Sequence, residues 1–138
     1  MKLENRQKLV RLLLEKSGKN LAAARSLLRD GFNESAISRA YYAAFDLAQA
    51  ALATRDVSRS KHSGVIAAFG EHLTKKGLLP DTLQKALLNL YGSRVTSDYS
   101  VEDTPSDAEA KKALEAAAEF ARAVEAYLKR WLEKTLEE

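Results

Sequence analysis

Three side chains with charged or proton-bearing ends, Arg94, Asp98 and Tyr99, fall within six positions of the segment LYGSRVTSDYS, residues 90–100. A guanidinium neutralises and orients phosphate oxygens, a carboxylate accepts a proton or fixes an arginine, and a phenol donates one. Together they suit binding or cleavage at a phosphate group. A second set lies upstream. Arg39, Tyr42 and Asp46 stand at i, i+3 and i+7, so on a helix they share one polar face. That face offers two pairings, Asp46 with Arg94 and Arg39 with Asp98. Such pairs could fix a helical register or orient a basic site.

Lys61 and His62 form a third candidate group, with Arg55 and Arg59 close in sequence. His62 reads either as a satisfied histidine at a helix end or as part of a phosphate-attracting rim. The other histidine, His72, lies ten residues further, about 15 Å along a helix, so the two cannot share a metal from one helix. Without cysteine or paired acids at ligand spacing, no metal site and no cofactor are expected. A glycine-rich phosphate loop, a Gly-x-Ser-x-Gly elbow and a dinucleotide fingerprint are also missing from the sequence.

The apolar pattern supplies the elements that must position these groups. Val10, Leu14, Ser17, Leu21, Ala24 and Leu28 recur at spacings of four and three, which predicts one long helix stopped at Gly31. Ile37, Tyr41, Ala44, Ala48 and Ala51 mark a second helix entered near Asn33, and residues 54–60 read as a loop. Tyr41, Tyr42 and Phe45 read as core. Val65, Ile66, Phe69 and Leu73 define a third helix closed by Gly77.

Pro80 stands in the first turn of a fourth helix, whose stripe Leu83, Leu87, Leu90 continues in phase to Arg94 and Ser97. Arg94 therefore projects from the apolar side. It must meet an anion, or pack its stem and reach water at the end of the helix assembly. After a break at residues 100–104, Thr104 reads as a cap, with Pro105 at the first helical position. Leu114, Ala117, Ala121, Val124, Leu128 and Trp131 then mark a final helix of about 30 residues, some 45 Å long.

No segment alternates with period two. The expectation is an all-α, antiparallel up-and-down bundle of about five helices, forming one domain over residues 1–138. This also removes a superficial likeness. Gly-Ser-Arg resembles the signature of small nucleotidyltransferases, but that chemistry needs two acids close together on a strand, and Asp98 stands alone.

Composition agrees. Hydrophobic residues make up 46% and charged residues 30% of the 138, with no cysteine, which excludes disulfides and thiol chemistry and fits a reducing cytosol. The opening residues are too charged for a signal peptide and no apolar run spans a membrane, so a cytoplasmic protein is expected. The net charge of +3 is uneven: residues 1–101 carry 16 Lys/Arg against 9 Asp/Glu, and the remainder 6 against 10. A basic body of this kind either attracts phosphate-bearing ligands or simply solvates helix faces.

Three stretches, GFNESAISRAYYAAFDLAQAAL, KHSGVIAAFGEHL and SRVTSDYS, resemble in this order the HEPN domain, in its small stand-alone prokaryotic form. The resemblance implies a helical bundle that forms a homodimer and is paired with a minimal nucleotidyltransferase. It also implies binding of nucleotide or RNA, and in some members a metal-independent endoribonuclease toxin with the nucleotidyltransferase as antitoxin. The resemblance implies that in those nucleases the arginine is followed roughly four to six residues later by a histidine. Arg94 matches the arginine, whereas Asp98 and Tyr99 occupy the histidine's place.

Tyr99 is also the candidate, by analogy, for the tyrosine that is nucleotidylated in some members. The leading expectation is nucleotide or RNA binding around Arg94, with Arg39, Tyr42, Asp46, Lys61 and His62 contributing. Its rivals are a ribonuclease using Arg94 with Asp98 or Tyr99, and a non-catalytic dimeric interaction module.

Overall fold

The computed structural model describes residues 1–99 and 104–136, with the side chain of Tyr99 outside that description. Within these limits the chain is all helix: α1 (Leu3–Arg29), α2 (Asn33–Thr54), α3 (His62–Phe69), α4 (Thr82–Tyr99) and α5 (Asp107–Leu136). A π-helical turn, Gly70–Thr74, continues α3 without a break.

Backbone chemistry sets the ends. Gly31, at φ 85°, lets the Phe32 and Gly31 amides donate back to the Leu27 and Leu28 carbonyls, so the chain turns sharply after α1. Gly77, at φ 75°, does the same after the π turn. At the end of α2 this left-handed position is filled by Asp56, at φ 53°, with Val57 and Asp56 donating to Leu52 and Ala53. Arg6 completes that end, its Nε and Nη2 donating to the Ala53 and Thr54 carbonyls at 2.7 and 2.6 Å. The cap of α5 differs from the sequence expectation. It is Ser106 rather than Thr104, because Ser106 Oγ accepts the Glu109 amide at 3.1 Å and bonds the Glu109 carboxylate at 3.2 Å. This reciprocal serine–glutamate pair satisfies the helix start better than a threonine two residues earlier.

Contacts along the helices give their directions. Ser17 donates to the Ala43 carbonyl and Arg6 reaches Thr54, so α1 runs antiparallel to α2. Asn33 meets Pro105 and Asp107, while Thr54 meets Tyr127, so α5 runs alongside α2 in the same direction. Gln7 meets Thr135, which sets α1 against α5 in opposite senses. The bundle is therefore up-and-down, with α3 and its π turn as a short connecting arm.

The helix at the centre is α2, and its burial exceeds what a one-sided stripe predicts. Ala40, Tyr41, Ala43, Ala44, Leu47 and Ala48 are all fully buried, covering successive directions around the axis. The four alanines among them let α1, α4 and α5 approach from several sides at once. Asp46, expected on a polar face, is itself buried at 2% exposure. The alanine row of α5, Ala113, Ala117 and Ala121, is buried within the chain, and Trp131 is half-buried beneath the Arg6 guanidinium. No helix among the described residues is long and apolar enough to cross a membrane.

Candidate functional site

Along α2, Tyr41, Tyr42 and Phe45 face the opening residue of α3, His62, and the late turns of α4, which bring Tyr91 and Arg94. The spacing explains the gathering: i, i+1 and i+4 on α2 make one aromatic ledge, and i, i+3 on α4 put Tyr91 and Arg94 on one face.

Arg94 sits over this ledge. Its guanidinium carbon lies 5.3 Å from the Tyr42 ring centroid and 5.9 Å from that of Tyr41, a cation–π arrangement. One turn on, Asp98 Oδ2 approaches Arg94 Nε to 2.9 Å, with both side chains partly exposed. The two atoms are at ion-pair distance, yet Nε is shielded from solvent without a well-aimed hydrogen-bond acceptor. The contact is an ion pair whose Nε–H is not aimed squarely at the carboxylate oxygen. The guanidinium is thus anchored at Nε, and its Nη1 and Nη2 make no hydrogen bond among the described residues, which leaves them as donors for an anion.

His62 is fixed by its neighbours. Its Nδ1 is 2.7 Å from the Tyr41 hydroxyl, its ring stacks on Tyr41 at 24°, and Phe45 meets it edge-on at 4.4 Å between centroids. Burial, reinforced by the adjacent Arg94 charge, pushes its pKa below the ordinary imidazole value. Tyr41 is pushed strongly upward, mainly by burial and further by Tyr42, while Arg94 opposes the shift. Its hydroxyl stays protonated.

Two sequence-derived pairings are corrected. Asp46 does not meet Arg94: it accepts from Asn20 Nδ2 at 2.8 Å, and Lys16 Nζ lies 3.8 Å from its other oxygen. Arg39 does not meet Asp98: its Nη1 donates to Asn20 Oδ1 at 3.2 Å, with its guanidinium 5.8 Å from the Tyr42 ring. The reason is geometric. The side of α2 bearing Arg39 and Asp46 packs on α1, whereas α4 packs on the tyrosine side. Asp98 then finds Arg94 within its own helix, at i, i+4. Burial raises the Asp46 pKa, and the Asn20 hydrogen bond, Lys16 and Arg39 only partly offset this.

The structure thus brings Arg94, Asp98, Tyr42 and His62 together. Arg39 stands at the edge and Asp46 behind, on the α1 side. Lys61 is exposed just before α3, and the Tyr99 side chain lies outside the described residues. Sequence reasoning placed Tyr41 and Phe45 in the core, where they are, but not as the support of His62. It also passed over Tyr91. The only signal for Tyr91 was its place three residues before Arg94.

A separate cleft of about 1000 Å³ opens on the other face of α4, between Lys85, Asn89 and Ser93 and, across on α5, Lys112 and Ala116. None of the clustered aromatics lines it. Among the described residues no three His, Asp or Glu side chains gather to hold a metal.

The chain is a helical bundle with an arginine–aromatic–histidine cluster at the junction of its second, third and fourth helices, and comparison with known proteins gives its family. The HEPN domain family matches residues 10–127. The chain is 32% identical over 120 residues to "Putative toxin MJ0605" of Methanocaldococcus jannaschii, covering 87% of this chain and 89% of that protein. It is 36% identical over 87 residues to "UPF0332 protein glr0978" of Gloeobacter violaceus, covering 63% and 69%. A "UPF0332 protein" of Thermotoga maritima is 33% identical over 97 residues, covering 70% and 74%. The chain belongs to the HEPN domain family.

Proposed function

We propose that this protein is the toxin-like, nucleotide- or RNA-binding member of a HEPN–nucleotidyltransferase pair, gripping phosphate at Arg94. The carrying observation is the state of that guanidinium: held over Tyr41 and Tyr42, tethered at Nε by Asp98, with no hydrogen bond to Nη1 or Nη2 among the described residues. An arginine bound this way is positioned in advance for an oxyanion and loses little freedom on binding it. The toxin character rests on family membership and on the printed name of a relative. The homodimer and the nucleotidyltransferase partner rest on the likeness to HEPN proteins, and the cytoplasmic setting on a composition without cysteine or a membrane-length apolar run.

The cleaving alternative, with Asp98 as base, is weakened by the geometry. Asp98 is engaged with Arg94 at 2.9 Å, which suits it to orient the arginine rather than to take a proton.

Titrating the protein with ATP and with a short RNA at two salt concentrations tests the reading. Arg94-dependent binding that weakens with salt is expected. Binding unchanged in Arg94→Ala would overturn it. Incubating the protein with RNA in EDTA, beside Arg94→Ala, separates binding from cleavage: equal cleavage by both proteins excludes the Arg94 nuclease.

A further inference from the structure

The imidazole of His62 is more constrained than a rim histidine needs to be. Tyr41 stacks on it and bonds its Nδ1, Phe45 meets it edge-on, and Tyr42 and Tyr91 lie within 6.0 Å of its centroid. Tyr41 is fully buried, and its hydroxyl has no other partner among the described residues. A buried O–H seeks an acceptor, so toward the neutral ring Tyr41 donates to Nδ1. The remaining proton then sits on Nε2, which makes no intramolecular bond among the described residues. An N–H beside an under-used guanidinium gives two donors of different shape that can converge on one phosphate.

We propose that His62 is an anion-binding group of the Arg94 site, presenting Nε2 to the phosphate, and that phosphate binding adds a proton to its ring. The proposal rests on the reading of Arg94 as a phosphate site.

The charges that His62 faces decide the sign. From α2 come Tyr41 and Tyr42, both phenols. From α4 come Tyr91 and the Arg94 cation, with Asp98 behind it. On its own approach stand Lys61 and Arg59, the latter lying across Gly64. The surroundings of His62 are therefore cationic and partly dry, and both features disfavour an imidazolium. A phosphate placed between Arg94 and His62 reverses the local field and favours the charged ring. The Tyr41 hydroxyl can then turn from donor to acceptor of Nδ1–H, which leaves its own proton without an acceptor among the described residues, a cost the phosphate's charge has to exceed. No covalent step is involved; the added proton comes from solvent.

The test uses a 2′-O-methyl RNA trinucleotide without terminal phosphates, whose diesters do not titrate near neutrality and which resists cleavage. The chain has two histidines, so ¹⁵N imidazole spectra report His62 directly with His72 as internal reference. On titration at constant ionic strength and neutral pH, the His62 ring nitrogens are expected to shift to the imidazolium pattern while His72 stays in place. Calorimetry in buffers of different ionisation enthalpy should show net proton uptake. His62→Gln, which keeps an N–H donor, should bind roughly 10-fold more weakly and take up no proton. Arg94-dependent binding with an unchanged His62 ring and no proton uptake overturns this inference and leaves the proposed function standing. Binding that is absent, or indifferent to Arg94→Ala, overturns both.

Discussion

Two polar clusters flank α2, and they differ in how their bonding is closed. On the α1 side, Asp46, Asn20, Arg39 and Lys16 partner one another: the amide of Asn20 serves Asp46 and accepts from Arg39, and Lys16 approaches the second carboxylate oxygen. On the α3–α4 side, Arg94 and His62 are held by aromatic faces and single contacts, and Arg94 Nη1 and Nη2 and His62 Nε2 make no hydrogen bond among the described residues. A closed network holds a bundle in register; an open one is kept for something that is not part of the chain. The lesson is that the buried charge most prominent in the sequence, Asp46, belongs to the architecture. The partly buried arginine belongs to the site.

The sharpest way to break this contrast is Arg94→Ala. Loss of charge-assisted bonds to phosphate should weaken nucleotide or RNA affinity on the order of 100-fold, measured by calorimetry, with little change in melting temperature. The mirror experiment is Asp46→Ala, which leaves the Asn20 amide without its acceptor. Stability should fall by about 2 kcal/mol in denaturant titration while affinity holds. If the two substitutions exchange effects, the clusters have been assigned the wrong way round.

Smaller effects refine the comparison. Tyr41→Phe removes the hydroxyl that fixes His62 and should cost about 1 kcal/mol by the same denaturant titration. Asp98→Asn keeps an oxygen for Arg94 Nε but removes the negative charge that repels phosphate, and should tighten anion binding roughly 3-fold, whereas a base lost from a cleaving site would abolish turnover.

The pH dependences have opposite signs. His62 has a lowered folded pKa, so its contribution to stability is complete above the ordinary imidazole value and is lost as pH falls through it. Asp46 has a raised folded pKa, so its contribution is present at acid pH and lost as pH rises from the ordinary carboxyl value through the folded one. Unfolding followed against pH in His62→Gln and Asp46→Asn should delete one limb each.

Much of this was legible in the sequence because helices announce themselves locally. The stripe of α1, its stop at Gly31 and the inward phase of Arg94 all follow from spacing and from one glycine. The cap of α5 was misplaced by two residues because Thr104 and Ser106 are chemically alike, and only the bond from Glu109 distinguishes them. Asp56 ends α2 in a backbone state that glycine usually signals, so no letter marked it. The site was half legible. Arg94, Tyr42 and His62 could be named, but periodicity gives the face of a helix and not its neighbour. Whether Asp46 looks toward α1 or α4 depends on bundle order, and the pairing with Arg94 failed for that reason. The Tyr41–His62 contact spans two helices and a loop and leaves no local pattern.

The most direct measurement is a crystal structure of the protein with AMP or the short RNA bound. The account predicts phosphate density within hydrogen-bonding distance of the Arg94 guanidinium, on its His62 side. Phosphate seated instead in the cleft lined by Lys85 and Lys112, with Arg94 unchanged, would contradict it.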